Sequence, residues 1–268
     1  MPLVDVSQHG EAAVLATLVE PAWPRYLVDV GAHDGRSLSN SFPFLEQGWS
    51  GVLVEPLPQA FERLAQRYVG RPEVRCVRVA CSDSAGRMPL FVGHDGPSPM
   101  TSTLGARDGR PSVEVEVKTL TTVLEEAGAP ADFSLLLVDA EGMDHAVLAG
   151  LDFARFRPRV IVTEDDVAAA EAHAAKERLL AERGYVLYTV VAATNSVWLA
   201  SELPGASSDE LPLSPEAALE RIDSATWARR CAELERSRDE IWQQLMVLQA
   251  SRSWRLTRPL RRFASLFR

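Results

Sequence analysis

Seven short runs of apolar residues, most of them separated by stretches of helical character, constrain the fold of this 268-residue chain most. Several runs are almost continuously apolar, which is typical of parallel strands buried on both faces of a sheet. Only residues 192–194 separate the last two runs, which indicates an antiparallel hairpin. The runs are residues 26–30, 51–55, 74–80, 133–139, 159–163, 185–191 and 195–200. The pattern predicts an α/β protein with a mostly parallel sheet.

Between the apolar runs lie predicted helices and one long interruption. The predicted helices are residues 11–20, 57–69, 119–127, 141–149 and 166–183. The first of them is expected to cover an edge of the sheet. Residues 84–118 are rich in Gly, Pro and Ser and then alternate as "VEVEVKT", so they predict an inserted loop with one extra edge strand.

A shift in composition after Ala200 divides the chain. Residues 1–203 are predicted to form the α/β domain, and residues 204–214 have the Pro and Ser content of a linker. Residues 215–268 are predicted to form a helical extension with a basic, amphipathic tail. A seam of apolar positions between Cys231 and Leu248 supports a short amphipathic helix there, but it is too short to establish a coiled coil.

The overall charge and the cysteines exclude several classes of protein. The formal net charge of -9 gives no support to nucleic-acid binding. No apolar run is long enough to span a membrane, and the N-terminus lacks the pattern of a secretory signal. The three cysteines show no metal-type pairing, so the simplest expectation is a reduced, cytoplasmic setting.

The stretch "VDVGAHDGRSLSN" places an acid and two glycines where the first apolar run ends. A dinucleotide-binding turn needs a third, middle glycine, and that position is His33 here. Asp29 would also repel a pyrophosphate, whereas it suits a ligand with an ammonium group such as S-adenosylmethionine. Gly31 and Gly35 would allow the backbone to approach that ligand. From Arg36 onward the chain is expected to be helical until Pro43 disturbs it.

Polar residues also end the next two apolar runs. Glu55 is placed to accept the two ribose hydroxyls of a nucleoside. Ser82 and Asp83 are placed to hydrogen-bond the edge of the adenine. For any one of these acids, a solvated turn residue or a helix cap is an equally good interpretation, but three polar endings on consecutive strands favour a ligand site.

The chain resembles the FkbM-type S-adenosylmethionine-dependent methyltransferase family. The resemblance rests on "VDVGAHDGRSLSNSFPFLEQGWSGVLVEP", "ACSDSAG", "VKTLTTVLEE" and "LLVDAEGMDHAVLAG". It implies a class I, Rossmann-like methyltransferase fold: a seven-stranded sheet with one antiparallel strand and helices on both faces. It also implies O-methylation, often of sugars or natural products, with cofactor contacts at Asp29, Gly31, Gly35, Glu55 and Asp83. The family motif is commonly D-x-E-G-x-E, and this chain departs from it because Asp144 replaces the final Glu.

Methyl transfer to a hydroxyl needs in-line alignment and a group that takes up the proton. Asp139 ends the fourth central strand beside the glycine turn, so it is a candidate base. Glu141 and His145 are four residues apart, which allows them to share a helix face, and either is an alternative base. A packing role for His145 is an equally open interpretation. His33 lies in the cofactor loop, where it either shapes that loop or faces the substrate.

A Mg²⁺ site is a further candidate. Glu164 and Asp165 follow the fifth central strand and are expected to emerge beside Asp139. Three carboxylates at one sheet edge would suit a hard cation. In the alternative interpretation, an acid of this stretch caps the next helix.

The basic tail indicates where the enzyme works. Residues 251–268 contain six arginines and no acid, interleaved with aromatic and leucine side chains. Such a segment suits the inner face of an anionic membrane, an acidic partner or the chain's own acidic domain. The stretch "SRSWRLTRPLR" is similar to tails of bacterial glycan-modifying enzymes, which favours a sugar or glycan acceptor.

Other functions stay open at this stage. The acceptor could instead be a soluble natural product. A silent scaffold with a methyltransferase fold, and an NAD-dependent oxidoreductase, are alternatives of other classes. A homo-oligomer is also compatible with the sequence.

Overall fold

A computed structural model describes residues 5–92, 102–104, 112–164, 170–192, 194–204 and 206. The chain divides into two units, residues 1–221 and 222–268, and all described residues belong to the first. The predicted linker, apart from residues 204 and 206, and the whole predicted helical extension with its tail therefore lie outside the described residues.

A seven-stranded sheet forms the centre of the fold. Its order is β10-β11-β9-β8-β1-β2-β3, and β11 runs antiparallel to both of its neighbours. The strands are β1 (Tyr26–Val30), β2 (Ser50–Val54), β3 (Val74–Val77), β8 (Asp132–Val138), β9 (Arg157–Glu164), β10 (Tyr185–Val191) and β11 (Asn195–Ala200). The predicted sheet, including the closing antiparallel hairpin, is confirmed.

Side chains alternate between two apolar layers, one on each face of the sheet. On β8, Leu135 and Leu137 belong to one layer, and Leu136 and Val138 belong to the other. The helices that cover the faces are α1 (Glu11–Leu18), α2 (Phe42–Leu45), α3 (Pro58–Arg67), α4 (Leu120–Ala127), α5 (Asp144–Ala149) and α6 (Ala170–Glu182). Burial on both faces explains why the central strands are mainly apolar.

Two predictions about helices are wrong. The chain is not helical between Arg36 and Pro43, because α2 begins at Phe42 and Pro43 lies in its first turn. Proline is tolerated there because the first N–H groups of a helix have no partner within it. Helix α1 does not cover a sheet edge. Its buried residues Val14 and Leu15 pack in one of the two layers that cover the sheet faces.

A second, four-stranded sheet replaces the predicted loop and single edge strand of residues 84–118. Its order is β4-β7-β5-β6, formed by β4 (Ala80–Cys81), β5 (Gly86–Val92), β6 (Ser102–Leu104) and β7 (Ser112–Lys118). The predicted strand 74–80 is also wrong in extent. The chain leaves the large sheet after Val77, because Ala80 pairs with Val117 of the second sheet.

None of the helices in the described part of the chain has the length and apolar character needed to span a bilayer.

Candidate functional site

Two cavities open at the carboxyl ends of the central parallel strands. One, here called the apolar cavity, is lined by valines of β1 and β2 and by residues of the second sheet, including Leu90. The other, here called the polar cavity, lies over β1, β8 and β9. They share the lining residues Gly31, His33, Asp139 and Glu141. Because the carboxyl edge of a parallel sheet is where α/β proteins bind ligands, these cavities are the candidate site.

Glu55 is the acid of the apolar cavity. It directly follows β2, and its two carboxylate oxygens accept hydrogen bonds of 2.8 Å from the backbone N–H groups of His33 and Leu57. Burial raises the pKa of Glu55 to about 7, although those hydrogen bonds act against the shift. A carboxylate fixed in an apolar cavity can accept hydrogen bonds from a ligand's hydroxyls.

Asp29 lies in the polar cavity and is held by a chain of hydroxyls. The Ser41 hydroxyl donates to Asp29 Oδ2 over 2.5 Å, and the Ser39 and Ser41 hydroxyls are 3.0 Å apart. Burial raises the pKa of Asp29 to about 6, and the hydrogen bond from Ser41 opposes this shift. The two serines therefore fix the carboxyl at the floor of the cavity.

The two glycines of the turn have different structural roles. Gly31 has a φ of +98°, and a Cβ on it would lie 1.9 Å from the carbonyl oxygen of Asp139. Gly35 lines neither cavity. A Cβ there would lie 2.6 Å from Leu64 Cδ1 and 2.8 Å from Tyr68 Cε2 of the α3 region. The turn thus brings β1 against the end of β8, and it packs on α3 through Gly35.

His33 and Glu141 flank the junction of the cavities with unusual backbone conformations. Their φ angles are +48° and +49°, a region that residues other than glycine seldom adopt. Nδ1 of His33 is buried without a hydrogen-bond partner, and burial lowers the pKa of this histidine. Strained residues and unpaired buried atoms concentrate at functional sites, so this junction is the centre of the candidate site.

Asp139 lies at that junction, close to the side chain of Glu164. Burial raises the pKa of Asp139 to about 7, and the nearby acids Asp144 and Glu141 raise it further, whereas the interaction with Glu164 lowers it. A carboxyl whose pKa is about 7 can act as a general base near neutral pH.

Asp144, the acid that departs from the family motif, joins two strand ends. Its Oδ1 accepts a 2.9 Å hydrogen bond from Ala140 N, and its Oδ2 accepts a 2.8 Å hydrogen bond from Glu164 N. Lys176 of α6 is buried beside it and donates to the Glu164 carbonyl oxygen. The role of Asp144 is therefore to hold the loops after β8 and β9 together.

The predicted Mg²⁺ site finds no support. Among the residues that the structure describes, no three His, Cys, Asp or Glu side chains are arranged to hold a metal ion. Asp139 and Glu164 are neighbours, as predicted, but Asp165 lies outside the described residues.

Besides Gly35, three predicted site residues line neither cavity. Ser82 is buried and Asp83 is exposed, and their side chains pair with each other at 3.4 Å. His145 is half-buried in the first turn of α5. Glu141 precedes α5 in a turn, so the predicted shared helix face of Glu141 and His145 is wrong.

Sequence reasoning missed several residues around the polar cavity. Gln8, Asn40 and Asn195 line it, and they come from three distant parts of the chain. No local pattern singles them out. Lys176 could have been found, since it stands one turn before the buried Leu180 on the same face of α6.

Comparison with known families places most of the chain in one of them. A family model described as "Methyltransferase FkbM domain" matches residues 29–187, more than half of the chain. The matched stretch begins at Asp29 and includes Glu55, Asp139 and Glu164. No curated protein matches the sequence.

Several solved structures are similar to the chain. Cofactor-bound Rv0187 from MTB is 17% identical, with a TM-score of 0.44, covering 76% of this chain and 84% of that one. Aeropyrum pernix fibrillarin with bound S-adenosyl-L-methionine is 12% identical, with a TM-score of 0.42, covering 70% and 73%. A TehB-like SAM-dependent methyltransferase from Corynebacterium glutamicum is 14% identical, with a TM-score of 0.38, covering 72% and 88%.

Proposed function

The chain belongs to the FkbM methyltransferase family and is an S-adenosylmethionine-dependent methyltransferase, and from this premise we propose that it methylates a sugar hydroxyl of a bacterial glycan or glycoconjugate. The observation that carries the proposal is the position of Asp139. Its carboxyl lies where a mainly apolar cavity meets a polar one. A nucleoside fits the first cavity, and a hydroxylated acceptor fits the second.

The described residues fit the cofactor in a definite orientation. Glu55 would hold the ribose hydroxyls in the apolar cavity, where Val54 and Leu90 would contact the adenine. Asp29, at the floor of the polar cavity, would bind the ammonium group. Gly31 lies between them, so the sulfonium would sit at the junction. When bound, S-adenosylmethionine supplies the methyl group.

Asp139 would act as the general base. The acceptor hydroxyl would donate its proton to Asp139 during methyl transfer, and the residues of the two cavities would hold acceptor and cofactor in the alignment that the transfer needs. A base with a pKa of about 7 is well matched to this task near neutral pH. The neighbouring Glu164 lowers the pKa of Asp139 and so favours the ionised form that accepts the proton.

The wider setting of the proposal comes from the sequence. The basic tail, residues 251–268, would hold the enzyme at the cytoplasmic face of a membrane, where lipid-linked glycans are assembled. We therefore place the reaction in the biosynthesis of surface polysaccharide. If the acceptor were instead a soluble natural product, the tail would have no role at a membrane.

Mass spectrometry of surface glycans from producer cells with and without this protein tests the acceptor. We expect a 14-Da loss on one sugar residue when the protein is absent, and its return with the wild-type gene but not with Asp139→Asn. Unchanged glycans together with a 14-Da change in a small secreted metabolite would contradict the sugar acceptor and support the natural product.

A further inference from the structure

Asp144 is a buried acid close to the proposed base, yet it lines neither cavity. It is only 4% exposed, and it stands where the family motif commonly ends in a glutamate. Burial of a carboxyl is unfavourable unless other groups compensate for the lost water. The proposed methyl transfer gives this acid no chemical step, so its role has to follow from what it contacts.

One carboxylate oxygen of Asp144 lies against the peptide unit that joins Asp139 to Ala140. This oxygen, Oδ1, accepts a 2.9 Å hydrogen bond from Ala140 N. The carbonyl oxygen of the same peptide unit, which belongs to Asp139, faces Gly31, where a Cβ would be only 1.9 Å away. Contacts on both sides restrict the rotation of this peptide unit. Asp144 therefore fixes the backbone that carries the side chain of the base.

The other carboxylate oxygen of Asp144 is tied to the end of β9. This oxygen, Oδ2, accepts a 2.8 Å hydrogen bond from Glu164 N. Lys176 of α6 donates to the carbonyl oxygen of Glu164 and is itself only 3% exposed. A buried cation near a buried carboxylate offsets part of the cost of burying each charge. Asp144 and Lys176 are therefore a pair that joins α5, β9 and α6 beside the base.

Asp144 also has a strong electrostatic effect on Asp139. Burial raises the pKa of Asp139, and Asp144 raises it further, more than any other charged neighbour in the described part of the chain. A carboxyl with a higher pKa is a stronger base once it is ionised. The charged groups that act on Asp139 are Asp144, Glu141, Glu164 and Asp29.

Lys176 acts on the base through Asp144. Burial raises the pKa of Asp144, whereas its two backbone hydrogen bonds and the charge of Lys176 lower it. Glu164, the other charged group beside Asp144, raises it. Lys176 thus favours the ionised form of Asp144, and a negative charge at that position makes Asp139 hold its proton more tightly.

We propose that Asp144, with Lys176 as its counter-charge, is a positioning residue for methyl transfer that holds Asp139 in place and strengthens it as a base. This inference rests on the proposed function, in which Asp139 takes up the proton of the acceptor. Neither Asp144 nor Lys176 lines a cavity, and both act through Asp139.

Carboxyl NMR on the full chain, labelled with ¹³C at the aspartate carboxyls, tests the proposal without an acceptor. The Asp139 signal is identified by its absence from Asp139→Asn. In the wild type it should titrate at about pH 7. In Asp144→Asn it should titrate about one pH unit lower, because a neighbouring negative charge is lost while the shape of the side chain is kept. An unchanged titration of Asp139 would overturn the proposal.

Two further variants separate charge from displacement of the loops. Asp144→Glu keeps the charge but changes the reach of the side chain, so Asp139 should titrate close to its wild-type pH. Asp152→Asn is the matched control, because Asp152 is exposed and also accepts a backbone hydrogen bond, of 3.0 Å from Ala154 N. It should change nothing. Equal shifts in Asp144→Asn and Asp144→Glu would show that displaced loops are responsible and would overturn the effect of charge.

Lys176→Met tests the counter-charge. The Asp144 signal, identified by its absence from Asp144→Asn, should titrate at a higher pH in this variant, because the cation that favours its ionised form is gone. Arg178→Met removes an exposed cation from the same helix and is the matched control. Equal titration of Asp144 in the two variants would remove Lys176 from the pair.

Turnover separates this inference from the proposed function. The acceptor probe is surface glycan extracted from cells that lack the protein. Asp144→Asn should lower turnover at pH 8 about 2–10-fold and move the acidic limb of the pH profile to lower pH, while its affinity for S-adenosylhomocysteine stays unchanged by calorimetry. A wild-type pH profile in this variant would overturn the inference alone. Failure of the wild type to methylate the extract would instead contradict the proposed function, and the titration of Asp139 would still decide the role of Asp144.

Discussion

The α-carbon of Gly31 faces the backbone of Asp139 so closely that a Cβ on Gly31 would lie 1.9 Å from the Asp139 carbonyl oxygen. Asp139 N in turn donates a 2.9 Å hydrogen bond to the carbonyl oxygen of Val30, the residue before Gly31. The end of β1 and the end of β8 therefore form one rigid unit. The position of the proposed base depends on the absence of a side chain two residues after Asp29.

Gly31→Ala should both destabilise the protein and displace Asp139. The new methyl group would clash with backbone, and overpacking alone costs about 1–3 kcal/mol. The φ of +98° adds strain, because L-residues seldom adopt it. Chemical denaturation and turnover of the folded fraction measure the two effects. Gly142→Ala is the matched control, since its φ is +89° but no atom lies within 4 Å of the new Cβ. Equal losses in the two variants would show that strain, not the clash with Asp139, is responsible.

Glu55→Gln should weaken binding of S-adenosylmethionine. The substitution preserves the side chain's shape, and an amide oxygen turned toward His33 N would keep the loop in place, although the NH₂ group leaves Leu57 N without its acceptor. Losing hydrogen bonds to a charged group costs about 1.5–3 kcal/mol, or roughly ten- to a hundredfold in affinity. Calorimetry measures this. A cofactor analogue without ribose hydroxyls should bind the variant and the wild type equally, and unchanged affinity for the natural cofactor would remove Glu55 from the ribose site.

Asp139→Asn should lower turnover by about 10²–10⁴-fold while cofactor affinity changes little, because a general base contributes that much. Wild-type turnover should rise between about pH 6 and pH 8, since the base must be ionised and its pKa is about 7. We expect full activity in excess EDTA, because no three His, Cys, Asp or Glu side chains in the described part of the chain are arranged to hold a metal ion. Loss of activity in EDTA that added Mg²⁺ restores would instead support the predicted Mg²⁺ site. Full activity of the asparagine variant would move the chemistry away from Asp139.

The protein without cofactor should lose stability as the pH rises from about 4 to 7. Burial raises the pKa of Asp29 to about 6 and those of Glu55, Asp139 and Asp144 to about 7. A group whose pKa is higher in the folded state stabilises that state at low pH and ceases to do so above its folded pKa. His33 opposes the trend, since its pKa is lowered by burial. Urea midpoints at several pH values measure the slope, which Asp139→Asn should reduce.

Truncation after Ala250 should leave cofactor affinity unchanged and abolish binding to anionic vesicles. The removed segment carries six arginines and no acid, and each basic residue near an anionic surface contributes about 1 kcal/mol. Vesicle co-sedimentation at low and physiological salt provides the measurement. Equal sedimentation of the truncated and full-length chains would refute the membrane role of the tail.

The sheet was predictable because its information is local. Runs such as the one ending at Val138 are almost continuously apolar, and burial on both faces of the sheet makes that pattern favourable. Acids at the carboxyl ends of such runs, Asp139 and Glu55 among them, lie at one sheet edge whenever the strands are parallel. Hence the sequence alone predicted the fold and the family, and it placed Asp139 and Glu55 at the edge where the apolar cavity opens.

Pairings between distant segments were not predictable. Residues 74–80 form one β-favouring run, yet the run is broken because Ala80 pairs with Val117 in the second sheet. When pairing with a distant segment ends a strand early, the local amino-acid composition does not indicate it. The effect of Pro43 was not predictable either. From the sequence alone, a proline in the first turn of a helix cannot be distinguished from a proline that ends a helix.

The sequence by itself determined which residues end the strands and therefore which acids meet at the carboxyl edge. Only the tertiary structure decided what those acids do. Asp144 holds two loops by accepting two backbone N–H groups, and the Asn40 oxygen is left buried without a partner among the described residues. The physical reason is that strand formation depends on neighbours along the chain, whereas burial, a raised pKa and an unsatisfied hydrogen bond depend on atoms that folding brings from elsewhere.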